Sequence, residues 1–189
     1  MIDKFAYGRY NDINEICDFK KIETYSLVIQ SLVRTTNCKF YLELGVADGK
    51  NIHMIRDYVE YCVGVDVKDI CLDKDKIFYN LMSTDEFFEK NIFGNFDIIF
   101  IDANHDWIYV RRDFENSLKI LNEFGLIILH DTDPIHNIML QKDYCSDSYH
   151  INDYIYANHK DLDVITLPVC DMGLTLVKRK KDTRISKIL

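Results

Sequence analysis

The sequence predicts an α/β protein built on a doubly wound, mostly parallel seven-stranded sheet, with helices on both faces and a C-terminal antiparallel hairpin. Three observations predict it. Seven short apolar runs recur along the chain, several of them nearly unbroken Ile, Leu, Val and Phe, the composition of strands covered on both faces. Segments with helical spacing alternate with these runs. The last two runs are joined only by Pro168 to Gly173, too short for a helical crossover, so they pair antiparallel.

The elements follow in order. Tyr25, Val28, Ile29, Leu32 and Val33 form a helical stripe ahead of the first strand, Phe40–Leu44. Ile52, Ile55 and Val59 mark the next helix, and strands follow at Cys62–Val65 and Ile77–Leu81. Ser83 and Glu86 make a capping box at the head of a short helix carrying Phe87 and Phe88. The fourth strand is Asp97–Ile101. Trp107, Val110, Phe114, Leu118 and Leu121 then line one face of a longer helix, with Gly125 where a C-terminal glycine cap belongs. Strands at Leu126–Leu129, Val164–Leu167 and Leu174–Val177 complete the set, and Pro134 to Lys160 carries no clear period.

Bulk properties bound the function. At 189 residues, 48% hydrophobic and 29% charged, with two prolines and no Ser/Gly-rich linker, the chain fits one globular domain. A net charge of −8 argues against a broad phosphate-binding face, so no nucleic-acid partner is expected. The basic cluster Lys178-Arg179-Lys180-Lys181, with Arg184 and Lys187, reads as a solvated tail. Cys17, Cys38, Cys62, Cys71, Cys145 and Cys170 show no CxxC spacing, and Met1 leads straight into charged residues without a signal peptide, so reduced thiols in a cytoplasmic protein are expected. No run reaches the ~20 apolar residues of a membrane span.

In open α/β sheets ligands bind beyond the carboxyl ends of the strands, and there this sequence is polar. The first strand ends in Glu43-Leu44-Gly45-Val46-Ala47-Asp48-Gly49, an E-x-G-x-x-x-G loop in which Gly45 and Gly49 permit a sharp turn close to a ligand. Ala47 stands where G-x-G-x-x-G dinucleotide enzymes have their middle glycine. The second strand ends in Asp66, an acid spaced to accept ribose hydroxyls. The fourth runs into Asp102-Ala103-Asn104-His105 and the fifth into His130-Asp131-Thr132-Asp133. As neighbours these strands bring Asp102 and Asp131 to one rim, where two carboxylates suit a divalent cation such as Mg2+. His105 has the near-neutral pKa of a general base for a hydroxyl proton. His130 reads equally as a backbone-bonded core histidine, and His53, His136, His150 and His159 have no metal-ligand spacing.

The motif order resembles a class I S-adenosylmethionine-dependent methyltransferase, a Rossmann-like fold whose sheet also ends in an antiparallel hairpin. The likeness spans roughly Cys38 to Lys178. Within that superfamily it is nearest to the macrocin O-methyltransferase and cephalosporin-hydroxylase-like group, through Ser83-Thr84-Asp85-Glu86-Phe87-Phe88, Phe96 to His105 with its D-x-x-H ending, and Gly125 to Asp131 with its H-D ending. The resemblance implies a methyltransferase domain over 38–178, flanked by an N-terminal segment and helix over 1–37 and a basic tail over 179–189. It implies that Glu43, Gly45 and the Ala47, Asp48 and Gly49 backbone surround the methionine end of the cofactor. Asp66 would bind ribose, and Ser83, Thr84 and Asp85 would lie beside adenine. Asp102, also at the cofactor, and Asp131 would be metal ligands, with Asp133 a candidate third, and His105 with Asp102 would be catalytic. The acceptor implied is a small molecule or saccharide hydroxyl, with Tyr144, Tyr149, Tyr154 and Tyr156 near its pocket; a homodimer through the N-terminal segment is compatible with this. Two alternatives stay open: an NAD(P)-binding oxidoreductase, and a non-catalytic S-adenosylmethionine-binding module.

Overall fold

The computed structural model describes residues 24–70, 76–90, 92–168 and 172–181. Most of the N-terminal segment, the tail beyond Lys181, and Cys17, Cys71 and Cys170 lie outside the described residues. The elements are α1 (Thr24–Thr36), β1 (Phe40–Leu44), α2 (Lys50–Ile55), β2 (Tyr61–Asp66), β3 (Ile77–Leu81), α3 (Thr84–Lys90), β4 (Phe96–Ile101), α4 (Trp107–Lys119), β5 (Leu121–His130), α5 (His150–Asn158), β6 (Leu162–Leu167) and β7 (Leu174–Arg179). Short 3-10 turns occupy Arg56–Tyr58 and Asn137–Leu140.

The seven strands form one sheet in the order β3-β2-β1-β4-β5-β7-β6. All neighbours are parallel except β7, which runs antiparallel to both β5 and β6. The chain winds outward from β1 to β3, then returns to β4 on the other side of β1. That reversal opens a crevice at the carboxyl ends of β1 and β4.

Side-chain alternation along the strands sorts the core into two layers. On one face Leu42, Leu44, Val63, Val65, Ile99 and Ile101 pack beneath Phe87 of α3, Val110 and Phe114 of α4, and Ile151 and Ile155 of α5. On the other Tyr41, Cys62, Ile98, Phe100 and Ile128 meet Ile29 and Val33 of α1 and Ile52 and Ile55 of α2. Both faces are therefore covered, as the unbroken apolar runs require. Cys38, Cys62 and Cys145 are buried free thiols. Burial pushes the first two up to about 12, so they are packing groups rather than nucleophiles.

The capping box forms as expected. The Ser83 N–H donates to Glu86 Oε2 at 3.0 Å, and the Glu86 N–H donates to Ser83 Oγ at 3.2 Å. Gly125 is a correction. It lies inside β5 and caps nothing, because α4 ends at Lys119 and β5 begins two residues later. Pairing with β4 jumps from Phe96↔Leu121 to Ile98↔Leu126. In that bulge a Cβ on Gly125 would come within 2.7 Å of the Leu121 side chain and 3.0 Å of the Asp97 carbonyl oxygen. The end of α4 is satisfied instead by Arg179, at the end of β7, which donates to the carbonyls of Leu118, Leu121 and Asn122.

Candidate active site

Most of the polar residues that the sequence places after the strands line the crevice. β1 delivers its loop directly against the end of β4. Gly45 has φ +87°, and a Cβ there would sit 2.0 Å from the Asp102 carbonyl oxygen, so no other residue fits without moving backbone. The crossing is pinned by the Gly45 N–H donating to the Val65 carbonyl at 2.9 Å and the Asp102 N–H donating to the Leu44 carbonyl at 2.8 Å. Ala47 holds a left-handed φ of 50°, and Gly49, at φ 80°, precedes α2.

Asp66 does more than close β2. Its Oδ2 accepts from the Val46 and Ala47 N–H groups, each at 2.9 Å, while Oδ1 accepts from the Lys68 N–H at 2.9 Å. The carboxylate thus braces the glycine loop. Glu43 is 1% exposed and accepts from the Tyr41 hydroxyl at 2.8 Å and from Asn51 Nδ2 at 2.5 Å. Tyr41 and Asn51 escape a sequence reading, because a tyrosine in a strand and an asparagine in a helix carry no distinguishing spacing.

A cavity of about 640 Å³ fills the crevice. Gly45, Ala47, Asp66, Ser83, Thr84 and Asp85 line it, together with Asp102, His105, His130 and Asp131. A second cavity of about 480 Å³, sharing Gly45, Ala47 and Asp102, is lined by Tyr25, Glu43, Asp48 and Asn51. Gly49 borders neither: it is buried under the turn, so its part is to shape the loop. Asp85 is held by an ion pair with Arg112 on α4. Of the four tyrosines expected near an acceptor pocket, only Tyr144 lines the cavity. Tyr154 instead packs on Trp107 and bonds Glu115, and Tyr156 is exposed.

At the far rim, two aspartates and two histidines interlock. His105 Nε2 lies 3.4 Å from Asp102 Oδ1, and its Nδ1 lies 3.1 Å from Asp131 Oδ2 and bonds the Tyr144 carbonyl. His130 Nδ1 bridges Asp102 Oδ1 at 3.3 Å and Asp131 Oδ1 at 3.2 Å. Asp131 is 2% exposed and takes a left-handed φ of 59°. Such backbone strain in a non-glycine residue marks a position held for its side chain.

Burial opposes charge throughout this cluster, and the pairings decide the outcome. Burial would raise Asp102, but His130 and His105 hold its carboxyl below the usual range. Burial, with Asp102 nearby, raises Asp131. Burial would lower His105, but the hydrogen bond to Asp102 and the charges of Asp131 and Asp102 push it up to about 9. Donor atoms of Asp102, His105 and Asp131 lie within 4.8 Å of one another, a separation that admits a metal ion. Asp133 is not in that group; its N–H is tied to the Met172 carbonyl, and its Cβ lies where a side chain on Gly173 would have to go. By sequence alone His130 reads equally as a core histidine, whereas in the fold it faces both carboxylates.

Comparison with known proteins agrees with this geometry. Residues 42–132 match a family described as a methyltransferase domain. No curated protein matches the chain. Among solved structures, an O-methyltransferase from Bacillus cereus in complex with SAH is 16% identical, with TM-score 0.65 over 95% of this chain and 97% of that one. The SAH-bound methyltransferase PaMTH1 of Podospora anserina is 18% identical, with TM-score 0.66 over 94% and 86%. TomG, an O-methyltransferase of Streptomyces achromogenes involved in tomaymycin synthesis and solved with SAM, is 14% identical, with TM-score 0.63 over 84% and 80%. At these identities the likeness is one of fold. It bears out the Rossmann-like sheet with its closing antiparallel pair, and the methyltransferase-domain match over 42–132 together with it bears out the class I resemblance.

Proposed function

We propose that this class I S-adenosylmethionine-dependent methyltransferase methylates the hydroxyl of a small-molecule or sugar acceptor. One observation carries the reading: a single crevice holds a glycine-loop cofactor wall at one end and the Asp102–His105–Asp131 cluster at the other. The cofactor supplies a methyl group on a positively charged sulfur. Glu43 and the Gly45–Asp48 backbone lie where its methionine end would go, Asp66 at the ribose and Ser83 to Asp85 at the adenine. The second cavity, beside Glu43 and Asn51, gives the amino-acid end polar partners.

The chain's task is then alignment and proton removal. His105 is the proton acceptor of this reading. Pushed up to about 9, the ring is mostly protonated at neutral pH. In its neutral fraction the Nδ1–H donated to the Tyr144 carbonyl leaves the lone pair on Nε2, so turnover is expected to rise with pH towards about 9. Asp102 and Asp131 stabilise the imidazolium once the proton has moved. The same carboxylates fit a divalent cation such as Mg2+, since donor atoms of Asp102, His105 and Asp131 lie within 4.8 Å of one another. An ion there supplies charge that lowers the pKa of an acceptor hydroxyl.

Calorimetric titration with S-adenosylhomocysteine, S-adenosylmethionine and NAD, with and without Mg2+, tests the cofactor. Binding of both adenosyl compounds and not NAD is expected. NAD binding alone would overturn the reading in favour of an oxidoreductase. His105→Ala is expected to cut turnover on an accepted hydroxyl about 10²- to 10⁴-fold, with S-adenosylhomocysteine affinity nearly unchanged; undiminished turnover removes His105 from the chemistry.

A further inference from the structure

We propose that Arg112 is a positioning residue for cofactor selection: it holds the Asp85 carboxylate at the crevice wall, so that the site takes adenine in preference to a base lacking the exocyclic amine. The inference rests on reading Ser83 to Asp85 as the adenine end of a cofactor site.

The contact joins two elements far apart in sequence. Asp85 stands in the first turn of α3 and lines the crevice. Arg112 lies in the middle of α4 and reaches across, with Nη2 donating to Asp85 Oδ2. Among the described residues no hydrogen bond engages Oδ1, so one carboxylate oxygen is left for a ligand. The guanidinium is seated in turn. Tyr109, one turn earlier on α4, also lines the crevice, and its ring lies under the guanidinium carbon at 4.8 Å. A planar guanidinium can rest its face on a ring while its edge binds a carboxylate, whereas a lysine keeps the charge without that fit.

The outer side of the pair shows what it prevents. Asp85 also borders a third cavity, of about 410 Å³, which it shares with Arg112, Asn116 and Lys119. Without Arg112 the Asp85 side chain can swing outward towards Lys119 and leave the crevice. Both partners of the ion pair are half-exposed, so the pair adds little to stability and its consequence is direction. Direction matters because a carboxylate only accepts hydrogen bonds. Adenine offers it a donating amine. Hypoxanthine puts an oxygen at the same place, and a site that holds an acceptor there disfavours it.

The test is calorimetric titration with S-adenosylhomocysteine and with its deaminated analogue, S-inosylhomocysteine. Wild type is expected to prefer the adenosyl compound by about tenfold or more. Arg112→Ala should shrink that preference to about twofold, chiefly by weakening S-adenosylhomocysteine, and Arg112→Lys should restore most of it. In an Asp85→Asn background Arg112→Ala should change the preference no further, because the arginine acts through that carboxylate. A merely structural role would weaken both compounds alike and leave their ratio intact. A wild-type ratio in Arg112→Ala therefore overturns the proposal, as does equal binding of the two compounds by the wild type. Binding of neither compound by the wild type would instead strike the methyltransferase reading.

Discussion

Single positions on the crevice wall are set by contact. Gly45→Ala drives a methyl group into the Asp102 carbonyl, and the β1 loop or the end of β4 must shift. A loss of about 2–3 kcal/mol is expected in denaturant unfolding, together with weakened S-adenosylhomocysteine binding. Asp113 on α4 is a different kind of residue. It is 1% exposed, and burial, with Asp85 adding to the effect, lifts its carboxyl to about 7. In the unfolded chain the same group titrates at roughly 3.9. The folded protein therefore holds the proton more tightly, so stability declines as pH rises from about 4 and levels off above about 7. Asp113→Asn is expected to flatten that decline and to raise stability above neutrality by about 2 kcal/mol. Thermal melts from pH 5 to 8.5 would show it, and an unchanged slope would refute it.

At the level of elements, legibility followed periodicity. β1 and β3 fall on their expected residues, and the remaining strands are longer than their apolar cores because flanking residues such as Tyr61 and Asp66 extend the pairing. Ser83 and Glu86 announce α3 by reciprocal bonds that spacing alone predicts. Ser83→Ala should cost about 1 kcal/mol by chemical denaturation, since the cap serves an exposed helix start. Gly125 misled because a glycine after a helical stripe and a glycine in a bulge look alike in one dimension. Pro134 to Lys160 was opaque for a related reason: tertiary bonds hold it, with Ser148 Oγ donating to the Asp131 carbonyl at 2.7 Å and Asn152 Nδ2 donating to the Thr132 carbonyl at 2.9 Å. The site was legible where residues follow strands, as with Glu43, Asp66, Asp102 and Asp131. The part of His130 was not, nor was the bond from His105 to the Tyr144 carbonyl, since both depend on which elements lie side by side.

For the molecule as a whole, cofactor binding and stability are expected to be linked. The crevice draws on β1, β2, β4 and β5 together, so a ligand filling it binds only the folded sheet. S-adenosylhomocysteine at 100 times its Kd should add about 2.7 kcal/mol, which for a chain of this size raises Tm by roughly 5–10 °C. No shift under saturating ligand would contradict the assignment. The charge of −8 gives a second whole-molecule expectation: no retention on duplex DNA at physiological salt. Among the described residues no helix is long and apolar enough to cross a membrane.

The placement of β7 between β5 and β6 also bears on the order of events during synthesis. β6 leaves the ribosome before the strand that will separate it from the rest of the sheet, so it has no partner until Leu174–Arg179 emerges. Until then the β5 edge, with Ile127, Ile128 and Leu129 at its centre, stands open to any passing strand. The last strand described is therefore the one that closes the molecule against aggregation, and a chain halted at Leu167 should be recovered as insoluble oligomers even though every residue lining the crevice except Met172 has already been made.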